Sequence, residues 1–268
     1  MNEDNIPYHD FCFSLIHACD YLEWFYQYDK DIVDKEDYSY LLCQDTEDNS
    51  YEFSLGLLLH DCVPVGDLDF VFRYIERKGL NYKKPINIPD VFLSPKYLKR
   101  NAFTLNNATL SDVIYTANYE FGNKDKFFLK KIDKYKEVSL VVEDNKEIHD
   151  LSVNLGDYFL SEYIVCAAEF RIFVFNNKIV DVRRYLGDYD VYPNINFVED
   201  IIGVFSDIKD YSGLSSYTID VGVLEKTNET VLIEIHPFVS CGLYGFDNKK
   251  LLPLMMNSGY KWMLKDNK

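Results

Sequence analysis

Positive charge is what this chain has least of. Its 28 lysines and arginines face 44 aspartates and glutamates, for a formal charge of −16. Phosphate backbones and anionic lipids demand a positive surface, so non-specific binding to DNA, RNA or membranes is not expected. A small phosphorylated ligand held by a few local basic side chains stays compatible with that charge. No run reaches the apolar length of a membrane span, and the acidic start MNEDN lacks the positive region that opens a secretion signal, so a cytoplasmic protein is expected. The cysteines (Cys12, Cys19, Cys43, Cys62, Cys166, Cys241) form no C-x-x-C pair. Several sit in apolar runs, as buried reduced thiols do, and the spacings that would support a zinc site at Cys62 or Cys241 are missing. Internal repeats and low-complexity segments are absent too. What remains is a 268-residue chain, 47% hydrophobic and 27% charged, long enough for one large domain or two small ones with a packed core.

The most informative stretch is YTIDVGVLEKTNETVLIEIHPFVSCGLYG, residues 217–245. Two β-rich runs, 217–224 and 230–235, flank a polar KTNE segment and predict a hairpin. Side chains alternate along a strand, so Asp220 projects with Thr218 and Gly222, opposite Ile219 and Val221. On the second strand Glu234 and His236 share one face, and Val231, Ile233 and Ile235 the other. Paired in register, Asp220, Glu234 and His236 converge beside a buried surface. Clustered carboxylates there need a cation, which makes this a candidate Mg²⁺ or Mn²⁺ site. The plainer alternative is a pair of solvated acids and a structural histidine.

Upstream, residues 8–28 carry apolar side chains at helical spacing, with His9 and His17 read as surface or core-edge residues. A strand-like run follows at 38–43, and 51–60 reads equally as strand or helix. A helix is expected beyond Asp67, with Leu68, Val71, Phe72 and Ile75 on one face and Gly79 at its end. The proline-rich KKPINIPDVFLSPKYLKR then reads as an extended crossing segment, whose basic residues, Arg100 among them, are taken as solvated. A short helix at 110–117, capped by Ser111 or Thr109, precedes a strand at 126–132 and its partner at 138–142. Alternation in KFFLKKI makes either Lys130 or Lys131 share a side with apolar neighbours, awkward unless an anion meets it. The intervening DKYKE contains no glycine. A short strand at 162–165, a hairpin of 169–175 and 178–185 around Asn176-Asn177, a helix at 199–205, a turn at Ser212-Gly213 and a helix at 248–256 complete the reading. In that hairpin Glu169 and Arg171 share one face of the first strand, and Asp181 and Arg183 one face of the second.

In order and spacing, FFLKKIDKYKE, SEYIVCAAEFRIFVFNNKIVDVRRY and DVGVLEKTNETVLIEIHPFVSCGLYG resemble the ATP-grasp superfamily, especially its small stand-alone RimK-like members of bacteria and phages. The resemblance covers roughly residues 62–245. It implies an α+β ATP-grasp fold at 101–268, with two lobes sandwiching the nucleotide, preceded by a small α/β domain at 1–100. It also implies an ATP-dependent ligase that joins a carboxylate to an amine or thiol through an acyl phosphate. ATP and Mg²⁺ (or Mn²⁺) are the implied cofactors, and a homodimer is the implied assembly. Residue by residue, Lys130 stands at the phosphate-binding lysine, with Lys131 where proline is common, and Lys136 at a second lysine. Glu162 and the backbone of Tyr163 and Ile164 stand at the adenine contact. Glu169 and Arg171 match the acidic-x-Arg pair, with Arg171 expected at the γ-phosphate or acyl phosphate, and Arg183 matches a later arginine. Asp220, Glu234 and His236 match the metal trio. The third metal position is usually Asn. Here it is His236, followed by Pro237, and imidazole is a softer ligand. With the glycine-poor loop, this keeps open the alternative of a partly degenerate ATP-binding protein with a regulatory or interaction role.

Overall fold

The computed structural model describes Ser14, Ala18 and residues 63–65, 68–83, 88–122, 126–132, 138–143 and 155–264. Most of the helix expected at 8–28, the runs at 38–43 and 51–60, the loop at 133–137 with Lys136, and Cys12, Cys19, Cys43 and Cys62 lie outside the described residues. Among those described, no helix is long and apolar enough to cross a membrane.

Two four-stranded antiparallel sheets dominate the fold. The first is built from β1 (Ala102–Ala108), β2 (Phe127–Lys131), β3 (Ser139–Val142) and β4 (Gly156–Glu162), in the order β1-β4-β2-β3. The second uses β5 (Cys166–Phe175), β6 (Lys178–Gly187), β7 (Ser216–Leu224) and β8 (Thr230–Pro237), in the order β6-β5-β7-β8. Both orders bring together strands distant in sequence, so each sheet depends on long-range pairing.

Each sheet has its own apolar core. The helix α1 (Leu68–Arg77) buries Leu68, Val71 and Ile75, and Gly79, at φ 68, closes the turn beyond it. After a 3₁₀ turn at Asp90–Phe92 comes the short α2 (Pro95–Leu98). The helix α3 (Leu110–Phe121) begins at Thr109, whose hydroxyl accepts from Asp112 N–H while Asp112 accepts from Thr109 N–H. Its Val113, Ala117 and Phe121 pack with Phe127, Leu129 and Leu160 of the first sheet. The helices α4 (Ile195–Ser206) and α5 (Leu252–Met263) cover the second sheet, joining Phe170, Ile172, Ile219, Leu232 and Ile235.

Leu68, Val71, Ile75, Phe92, Tyr97 and Leu98 also belong to that second core. The segment read as an extended crossing is therefore folded and packed on the second sheet.

Three details correct the strand-by-strand reading. The expected strand at 162–165 lies earlier, at Gly156–Glu162, and 163–165 connects the two sheets. The Asn176-Asn177 turn forms as expected, at φ 50 and 57. In the β7–β8 hairpin, Asp220 pairs with Glu234 but Val221 with Leu232, so Ile233 is an extra residue in a bulge. Strict alternation fails there, and Ile233 lines a cleft instead of joining the core.

Candidate nucleotide site

Between the sheets lies a cleft of about 320 Å³, floored by Phe128, Lys130 and Phe159 and roofed by Ile233 and Glu234. Its closed edge is the connector carrying Glu162, Tyr163 and Ile164. Lys130 faces the cleft while Lys131 turns to the other side, 2% exposed, with its ammonium 6.0 Å from the Tyr158 ring centre. Of the two lysines in KFFLKKI, the structure thus sends Lys130 towards an anion. That anion belongs to the opposite sheet: Lys130 Nζ and Glu234 Oε1 form an ion pair across the cleft.

A second cation bridges the sheets, and the sequence reading had placed it in solvent. Arg100 is 8% exposed. Its Nε donates to Ser161 Oγ at 3.2 Å on β4, and its Nη1 to Leu98 O at 3.2 Å and to Leu232 O at 3.3 Å on β8. All three acceptors are neutral, and desolvation lowers its pKa to about 10, so it remains charged at neutral pH. Its signal in the sequence was only its place at the end of KYLKR, next to a strand.

The acids and the imidazole converge as the hairpin register requires. Ligand atoms of Asp220, Glu234 and His236 all lie within 4.8 Å of one another, a donor set that fits a divalent cation. His236 Nε2 is 2.8 Å from Glu234 Oε2. Burial pushes Glu234 up, but His236 and Lys130 outweigh it and hold the carboxyl well below the usual range. Arg171 clamps Asp220 with two parallel bonds, Nε to Oδ1 at 2.8 Å and Nη2 to Oδ2 at 2.7 Å. Its Nη1 donates to Gly242 O at 3.0 Å, and the Tyr244 ring lies 5.1 Å from its guanidinium carbon. Burial alone would lower the Arg171 pKa, yet the bonds and charge of Asp220 raise it.

The other expected residues fall into three groups. Glu162 lines the cleft, but its carboxylate already accepts from Asn101 N–H at 2.8 Å, which leaves Tyr163 and Ile164 as the freer edge. Glu169 lines the cleft beside Cys166 and Tyr185. Arg183 stands across from Arg171 in the β5–β6 register, yet its guanidinium is held by Asp181 of its own strand, at 2.9 Å and 2.6 Å. It is not part of the cleft lining.

Tyr185 was not singled out from the sequence. Burial and the nearby charges of Asp220 and Glu169 push its phenol pKa up, so it stays a donor, and its ring stacks on Tyr244 at 4.8 Å. Cys166 is also on the cleft wall. Burial, with Glu169, pushes its thiol up to about 11, so it is not a nucleophile at neutral pH.

Two antiparallel sheets closing on a cleft, each backed by helices, define an ATP-grasp protein. Residues 103–254 match a clade-specific family of ATP-grasp domains, and the chain belongs to that family. It is similar to the translation initiation factor eIF2 assembly protein of Vanderwaltozyma polyspora, 36% identical over 101 residues. That match covers 36% of this chain and 27% of the yeast protein, so it spans about a quarter of the relative's length. Among solved structures, the RimK domain ATP-grasp protein of Sphaerobacter thermophilus superposes with a TM-score of 0.41 at 11% identity, over 63% of this chain and 62% of that one. C-terminally truncated Cdc123 of Schizosaccharomyces pombe gives a TM-score of 0.40 at 15% identity, over 57% and 83%.

Proposed function

We propose that this chain binds ATP between its two sheets and activates a substrate carboxylate as an acyl phosphate, which an amine or thiol then captures. The observation that carries the reading is the Lys130–Glu234 pair, a cation of one sheet held by an acid of the other across the cleft. A polyphosphate entering there takes Lys130 as its counter-charge and frees Glu234. Arg100, without a carboxylate partner, offers a second cation on the same wall. Ile233, Phe128 and Phe159 give apolar surface for a base, and the connector at Tyr163 and Ile164 gives backbone edges to read it. Lys136 is assigned to the phosphates as well.

The chemistry needs no nucleophilic side chain. The substrate carboxylate oxygen attacks the γ-phosphorus, and the bond to the β-phosphate oxygen breaks to release ADP. The amine or thiol then attacks the acyl carbon, phosphate leaves with the bonding pair, and the acceptor loses its proton to solvent. Arg171 offsets charge on the transferred group, held in place by Asp220. Arg183 is assigned to the same charge from further out, once released from Asp181. Glu169 and Tyr185 fix the wall between base and phosphates. Asp220, Glu234 and His236 would hold a divalent ion, Mg²⁺ or Mn²⁺, which when bound bridges phosphate oxygens and neutralises their charge. Residues 1–100 are assigned to substrate choice and 101–268 to nucleotide binding, with 68–98 joined to the second core.

A second reading is nucleotide binding in the service of protein assembly, without ligation. It is favoured by the 36% identity to an eIF2 assembly protein. The two differ in product. Incubated with ATP, divalent metal and a cell extract fractionated for small carboxylates and amines, a ligase should yield ADP, phosphate and a new condensed mass. ATP bound but returned intact with every fraction contradicts the ligase reading and supports the second.

A further inference from the structure

The metal centre differs from an all-oxygen site in one respect, the imidazole of His236, which stands with two carboxylates within 4.8 Å. Mg²⁺ prefers oxygen ligands in a strict octahedron and gives up water reluctantly. Imidazole suits transition ions, whose affinity for nitrogen rises from Mn²⁺ through Co²⁺.

The carboxylates are also less free to attract a hard ion than their number implies. Both oxygens of Asp220 accept from Arg171, and those of Glu234 meet Lys130 and His236. The pull of negative charge, on which Mg²⁺ depends most, is largely offset. Nitrogen donation is not.

A second, independent feature points into the same place. Thr218 is fully buried, and its hydroxyl has no hydrogen-bond partner. It shares the Asp220 face of β7 and pairs directly with His236 of β8. A buried hydroxyl without a partner is costly unless something polar meets it when the site is filled. An ion at His236 or its bound water supplies that partner.

We infer that the Asp220–Glu234–His236 centre, with Thr218 beside it, takes a nitrogen-accepting divalent ion of the Mn²⁺ or Co²⁺ type in preference to Mg²⁺. This rests on the nucleotide reading above, since the offset carboxylates leave the ion to arrive with the polyphosphate.

The test is calorimetric titration of the full chain with a non-hydrolysable ATP analogue in Mg²⁺, Mn²⁺ or Co²⁺, each corrected for the ion's affinity for free analogue. The visible absorption of the Co²⁺ complex is read in parallel for nitrogen ligation. The wild type should bind about tenfold or more tighter with Mn²⁺ or Co²⁺ than with Mg²⁺. His236→Asn should retain binding with Mg²⁺, lose that preference and change the Co²⁺ spectrum. Thr218→Val should weaken binding with Mn²⁺ and leave metal-free binding unchanged. Equal corrected affinities in the wild type overturn the inference, whether or not the variants fold. So does a His236→Asn protein of native circular dichroism whose preference and spectrum match the wild type. An unaltered Thr218→Val removes Thr218 from the centre. No binding of the analogue with any ion or without one overturns the nucleotide reading itself.

Discussion

Glu234 is the residue on which the site's electrostatics turn. It lies between Lys130 of the first sheet and His236 of its own strand. Burial opposes its charge, but the two partners hold its pKa well below the ordinary carboxylate range. A carboxylate depressed in the folded state contributes stability above its unfolded pKa, about 4.3, and loses it as pH falls through the folded value. Lys130→Met removes one partner while keeping a stem of similar length, so the folded pKa rises towards the unfolded one. The loss of stability on acidification should then begin at higher pH. Urea unfolding of wild type and Lys130→Met, from about pH 7 down to about pH 3, should show the variant's acid limb displaced upward. Superimposable limbs would mean that Lys130 does not bear on Glu234 in solution.

At the scale of elements, the site is held by the segment that follows β8. Phe238 and Phe246 both meet the ring of Phe173, at 6.0 Å and 4.4 Å, so this segment folds over the second sheet beside His236. The helix α5 braces it from behind, and Gly259 permits the approach: a Cβ there would stand 2.2 Å from Phe238 O and 2.8 Å from Phe238 C. Backbone cannot yield as a flexible side chain does. Gly259→Ala should therefore cost about 1–3 kcal/mol in urea unfolding, like other overpacked positions. Stability equal to wild type would show that α5 sits further from Phe238.

Much of this element-level arrangement was legible in the sequence, for a physical reason. A hairpin with a short polar turn fixes its own register, so two-residue periodicity was enough to gather Asp220, Glu234 and His236. The same logic separated Lys130 from Lys131. It failed where partners are remote or alternation breaks. Arg100 read as a wet linker residue because its acceptors on Ser161 and Leu232 lie 61 and 132 positions away. Ile233 read as core because a bulge leaves no mark in the pattern. Tyr185 acquires a neighbour in Tyr244 only through packing, and Arg183 meets Asp181 on its own strand instead of the cleft.

For the whole molecule, the claim is that the two sheets act as jaws on one ligand. Each has its own core, and the cations that cross between them, Lys130 and Arg100, flank the same cleft. Neither jaw holds a triphosphate alone, because the basic side chain stands on one and the acidic centre on the other. Calorimetric titration with ATP and a divalent ion measures this most directly, in the wild type, in Lys130→Ala and in Glu234→Ala. The account predicts saturable one-site binding in the wild type, and its loss in both variants while each keeps a native circular dichroism spectrum. Wild-type affinity in both variants would contradict it, and so would a wild type that binds no ATP.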